Sequence, residues 1–138
     1  MLYDYLMQII LASAKIMNEN IPLCSLPTHA PLFRHEAYTI ARDLQQYDAS
    51  TLSAMLNCSF DIARQNRERY AHFFETNEYM PAIMAYQGQA YKHLKAHELT
   101  QEQLCFADKH LWILSFLYGM LRPLDEIHSY RLEGNIFL

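Results

Sequence analysis

Glycine is scarce in this chain: 138 residues hold three. There is no Gly-x-Gly-x-x-Gly, no P-loop and no Gly-x-Ser-x-Gly. The backbone cradles used for dinucleotides, nucleoside triphosphates and hydrolase nucleophiles are therefore missing. Cysteine is scarce too. Cys24, Cys58 and Cys105 are odd in number, far apart and without a Cys-x-x-Cys pair, which excludes a disulfide framework and a cysteine-based zinc site. Each has apolar neighbours, so each is expected as a small buried thiol. Basic charge is in deficit. Lys and Arg number 11 against 15 Asp and Glu, a net charge of −4, which excludes a uniformly basic nucleic-acid binder but leaves room for a local basic face. Long apolar runs are absent as well. The stretches 9–14 and 111–121 fall well short of the ~20 residues that cross a bilayer. The first residues, Met1 to Met7, carry an acid and no Lys or Arg, so they lack the positive start of a signal peptide. A cytosolic protein without a membrane partner is expected.

What is present is enough for one core. With 51% hydrophobic and 19% charged residues the chain has the composition of a single folded domain. Met7 to Ala12 is continuously apolar and β-rich, which predicts a buried strand. Met7 is a second plausible start, making residues 1–6 an extension and 7–138 the domain. Pro22, Pro27 and Pro31 then impose a loop. From Phe33 to Tyr47 the apolar residues recur at three and four, predicting a helix with Arg34, Arg42 and Asp43 outward. Asp48 or Ser50 caps a second helix and Ser59 a third, leaving only a tight turn between them. Pro81 in the apolar stretch from Met80 to Tyr86 suits a first helical turn or an edge strand. Thr100 and Gln103 have capping-box spacing for a helix that follows. Trp112 to Tyr118 reads as a buried strand or a continuation of that helix, and Gly119, Pro123 and Gly134 restrict the remainder to turns and short segments.

Chemistry concentrates in three places. The third predicted helix carries Arg64, Arg67 and Arg69 with Asn66 between them. Helical spacing makes Arg64 and Arg67 neighbours and lets Glu68 pair with Arg64, so the group is either a solvated face or a phosphate-contacting patch. The segment from Tyr118 and Gly119 through Arg122, Asp125, Tyr130 and Arg131 to Glu133 gathers charges and phenols among turn residues. It reads as a ligand-binding pocket or as loop residues paired with one another, Arg122 with Asp125 and Arg131 with Glu133. Lys15 follows the first strand, where α/β proteins place binding groups. His93 and His97 would share a helix face, but no third ligand has metal-site spacing, so no metal and no cofactor is expected.

The sequence resembles the YaaA family of bacterial peroxide-stress proteins. The resemblance is carried by Ala14-Lys15, by the spacing of Ala63, Asn66, Arg69 and Tyr70, and by Tyr86-x-Gly-x-x-Tyr91. Most specific are Phe106-Ala-x-x-His-Leu and the run Leu114-Ser-x-Leu-Tyr-Gly-x-Leu-Arg-Pro-Leu-Asp125, continuing to Tyr130-Arg-Leu-Glu133. The resemblance implies a mixed α/β fold of the family's own type and a positively charged DNA-binding cleft that includes a helix-hairpin-helix. It also implies a role in limiting oxidative DNA damage under hydroperoxide stress by keeping free iron low. On this reading Arg64, Asn66, Arg67 and Arg69 contact phosphate, with Lys15, Arg122 and Arg131 lining the cleft. Tyr86, Gly88, Tyr118, Gly119, Asp125, Tyr130 and Glu133 form its polar wall.

The chain departs from the family pattern in several places. It has no glycine between Thr51 and Ala71 for the hairpin, Ser13 where the family has proline, and Gln87 and Gln89 where a lysine and an aspartate flank the glycine. Family members also run on for nearly as many residues again. Two other readings follow from the residues. In one, Lys15, Arg122, Asp125, Arg131 and Glu133 serve an enzyme or an anion-binding protein. In the other, the chain is a truncated portion that lacks the partner surface of its own core.

Overall fold

The structure, a computed structural model, describes residues 7–18, 26–75 and 79–132. The proposed extension 1–6 and the residues Cys24, Glu133 and Gly134 lie outside the described residues. Strand β1 (Ile9–Ala12) runs parallel to β5 (Leu111–Ser115), with Ile9 opposite Leu111 and Ala12 opposite Leu114. Strand β6 (Gly119–Leu121) turns back antiparallel to β5, completing a sheet in the order β1-β5-β6. Two small antiparallel pairs accompany it. Strand β2 (Ile16–Met17) meets β4 (Tyr86–Gln87), and β3 (Met80–Pro81) meets β7 (Glu126–Ile127). The fold is mixed α/β, as expected.

Among the described residues six α-helices supply the rest. Helix α1 (Arg34–Leu44) buries Ala37, Ala41 and Leu44, one per turn. Helix α2 (Ala49–Leu56) starts where Asp48 accepts from the Thr51 amide, and α3 (Phe60–His72) where Ser59 accepts from Ile62. Between them Asn57 takes a left-handed φ of 49°. Asparagine tolerates this conformation, and so closes the turn without glycine. Pro81 meets both expectations. It pairs in β3 and also caps the single turn of α4 (Ala82–Ala85), whose Ala82 and Ile83 amides donate to the Asp125 and Pro123 carbonyls. Helix α5 (Gln89–Leu94) stops at Lys95, itself left-handed, and a 3-10 turn Ala96–Glu98 follows. His93 and His97 are thus on separate elements rather than one helix face. Helix α6 (Gln101–His110) opens with the complete Thr100–Gln103 capping box, and the chain then changes to strand at Leu111.

Two expectations fail for the same geometric reason, namely which side of an element faces the core. Cys105 is exposed because Leu104 holds the inward position on α6, while Cys58 is half-buried. The first strand forms, but it is not buried: Ile9 and Ile10 are exposed and only Leu11 packs on the core.

Candidate functional site

The carboxyl ends of the parallel strands β1 and β5 lie side by side, and a network of phenols and serines gathers there. Ser115, the last residue of β5, accepts from the Leu117 and Tyr118 amides at 3.2 and 2.9 Å, which shapes the turn into β6. The same Ser115 Oγ lies 2.5 Å from the Tyr130 hydroxyl, which in turn shares a 2.7 Å hydrogen bond with the Tyr86 hydroxyl. The Tyr91 hydroxyl donates to the Ala12 carbonyl at the end of β1, at 2.6 Å. A Cβ on Gly88 would stand 3.1 Å from the Ala14 Cβ, so only glycine lets the turn after β4 press against the segment that carries Lys15. Tyr86, Gly88 and Tyr130 are thus brought to the strand ends, and Lys15 lies exposed just past β1.

Burial sets the electrostatics of this network. It pushes the Tyr86 and Tyr130 phenols above their ordinary pKa, and does the same to Tyr91, Tyr118 and Tyr70. Low-dielectric surroundings disfavour the phenolate. At neutral pH the cluster consists of neutral hydroxyls passing hydrogen bonds among themselves. It can hold or relay a proton only through neighbours that also accept one.

The Arg122-Pro-Leu-Asp125 turn is engaged elsewhere. Asp125 is fully buried and takes two hydrogen bonds from Arg122, from the amide at 2.7 Å and Nε at 3.0 Å, while the guanidinium terminus pairs with it at 2.8 Å. Arg122 also donates to the Ala30 carbonyl at 3.1 Å. Desolvation raises the Asp125 carboxyl above its usual range, with the Arg122 hydrogen bonds and charge opposing it. Of the two sequence readings of this pair, the internally paired one describes the geometry. The turn fastens the loop at Ala30, α4 and β7 together.

Neighbouring contacts extend this fastening through residues that the sequence did not single out. Asp108 accepts from the Leu124 amide at 2.9 Å and meets His29 Nε2 at 2.7 Å. Thr28 donates to Glu126. His29 and Asp108 are far apart in sequence, and no local pattern marks them. Ser115 had a signal, since a serine three residues ahead of a Tyr-Gly turn suits a side-chain-closed turn. Tyr118 is buried with its hydroxyl accepting from the His128 amide, and Gly119 has φ +71°, where an added Cβ would stand 3.0 Å from the Phe33 ring. Both are structural positions.

On α3, Arg64 and Arg67 are exposed and Arg69 is half-buried. Arg64 pairs at 3.7 Å with Asp61 rather than with Glu68. Asn66 corrects the sequence reading. It is completely buried, donating to the Ile62 carbonyl of its own helix at 3.1 Å, and so cannot reach a surface phosphate. It faces inward because Ala63 and Tyr70, three before and four after, are the helix's other buried positions. Arg131 is half-buried, its carbonyl holding the Tyr70 hydroxyl at 2.9 Å. Among the described residues no group of three His, Cys, Asp or Glu side chains could hold a metal ion, and no helix is long and apolar enough to cross a membrane.

Comparison with known proteins agrees with these motifs. Residues 7–138 match the family described as peroxide stress protein YaaA. A UPF0246 protein of Bacteroides fragilis is 38% identical over 133 residues, which cover 96% of this chain and 52% of the relative. A UPF0246 protein of Phenylobacterium zucineum is 37% identical over 133 residues, covering 96% of this chain and 50% of the relative. The chain spans about half the length of the curated relatives it matches. The strand-end tyrosines, the Arg122–Asp125 turn and a match over nearly the whole sequence place the chain in the YaaA family of peroxide stress proteins.

Proposed function

We propose that this chain supplies the DNA-contacting hairpin of a YaaA-type protein that protects DNA under hydroperoxide stress. The observation that carries the reading is the α2–α3 pair, two abutting helices on a three-residue turn with Arg64 and Arg67 exposed along α3. The hairpin amides are poor phosphate donors here. Ser59 already occupies the Ile62 amide, and Asp61 places a carboxylate in the first turn. Contact therefore falls to Arg64 and Arg67 one turn further on, while Arg69, two residues past Arg67, points to another side of the helix and is half-buried. The Arg64–Asp61 pair is solvent-exposed on both sides and is readily exchanged for a phosphate. Arg122 contributes less, being held by Asp125. The cellular consequence, less oxidative damage through lower free iron, belongs to the whole family protein.

The test is a duplex-binding titration at two salt concentrations. Binding should weaken as salt rises, because phosphate contacts release counterions. The double change R64A and R67A should weaken binding and flatten the dependence of log K on log salt by roughly two. Absence of binding at low salt, or binding indifferent to salt or to these changes, overturns the reading.

A further inference from the structure

The β1-β5-β6 sheet has two unlike faces. Alternation along the strands turns Leu11, Leu111, Ile113 and Leu121 into the cores beneath. The same alternation sends Ile10, Trp112, Leu114 and Met120 to the other side, and the register sets Ile10 opposite Trp112 and Leu114 opposite Met120. Here Ile10 is 64% exposed, Leu114 44% and Met120 37%. Four adjoining apolar side chains on one sheet face are more than the scattered apolar residues normal to a surface.

Two further features show that this face is made to be covered. Parallel strands are typically buried on both faces, and within this mixed sheet β1 and β5 are paired in parallel. Among the described residues strand β1 is also an edge of its sheet, and Ile9–Ala12 carries neither proline nor charge. The curated relatives carry about as much chain again beyond the matched portion.

We propose that the Ile10–Trp112–Leu114–Met120 face is the docking surface for the half of the YaaA-family domain that lies outside this match. That half packs an apolar layer on these residues, whether joined to this chain or supplied as a second polypeptide. Its first contact is with the open face, and the free edge of β1 offers it a strand to pair with.

Trp112 is the chain's single tryptophan, half-buried on this face with its indole donating to Gln8. It is therefore a built-in probe. The chain, carrying 5-fluorotryptophan, is mixed with the unmatched half of the Bacteroides fragilis relative and, separately, of the Phenylobacterium zucineum relative, each half produced on its own and first shown to be folded by circular dichroism. The expected result is co-purification at one-to-one stoichiometry and a saturable shift of the single fluorine resonance. Leu114→Arg should weaken the complex at least tenfold. Glu102→Lys, exposed on α6, should not. Because Leu114 is exposed, the variant should unfold at the wild-type temperature, and this is checked in parallel. No complex with either half, or one that Leu114→Arg leaves intact, overturns the proposal. A resonance that moves with concentration of this chain alone assigns the face to a second copy and also overturns it.

Discussion

The Tyr130 hydroxyl stands between the Tyr86 hydroxyl and Ser115 Oγ, in a buried place where water cannot substitute for either. Tyr130→Phe keeps the ring, with its edge contacts to Tyr86 and Tyr118, and removes only the oxygen. A buried donor or acceptor left without its partner costs about 1–3 kcal/mol, so urea unfolding should show a loss in that range with an unchanged slope. An unchanged midpoint would mean that the three hydroxyls are not bonded as described. At this scale the sequence was informative about identity and weaker on role. Tyr86, Gly88 and Tyr130 stood out and do meet at the strand ends. Arg122 and Asp125 stood out equally, yet they bind each other. Side-chain type tells what a group can bind, whereas its partner depends on which segments the fold brings within 3 Å.

Among the elements, the α2–α3 hairpin shows how local chemistry fixes a turn. Asp48, Asn57 and Ser59 provide cap, left-handed turn residue and cap in succession. The two caps were legible because they act within three residues. The left-handed turn was not recognised, since asparagine there replaces the expected glycine. Asn57→Gly should leave thermal stability near wild type. Asn57→Val, whose branched Cβ is disfavoured at φ 49°, should cost about 1–2 kcal/mol and appear as a lowered melting temperature. Equal melting temperatures for the two variants would rule out the left-handed turn. The strands are the contrasting case. The apolar run at Ile9–Ala12 predicted a strand correctly and its burial wrongly, because period and composition do not say whether a second layer is present.

For the whole molecule, the tyrosines make a prediction about alkaline pH. Tyr70, Tyr86, Tyr118 and Tyr130 are buried, and burial raises each above the ordinary value of 10.0. In the unfolded chain they ionise near 10, while in the folded chain they keep their protons. Folding therefore holds more protons than unfolding above that pH, and the stability present below it is lost as pH rises. The slope is about 1.4 kcal/mol per pH unit for each tyrosine so held. A titration followed by tyrosinate absorbance should show gradual ionisation of accessible phenols, then a steep step that coincides with loss of circular dichroism. Smooth ionisation of all ten tyrosines in a still-folded protein would contradict this.

The sequence by itself determined the class of fold, the helix starts at Ser59 and Thr100, a further start at Asp48 or Ser50 of which the structure selects Asp48, and the family, because caps, periodicity and contiguous motifs act over a few residues. Only the tertiary structure decided that Asn66 is core, that Arg122 is tied to Asp125, that His29 meets Asp108, and that, among the described residues, Ile10, Leu114 and Met120 stand exposed on one face of the central sheet. Each of these depends on long-range packing, in which residues distant in the chain compete for the same neighbours. That competition is settled by which surfaces can be buried together.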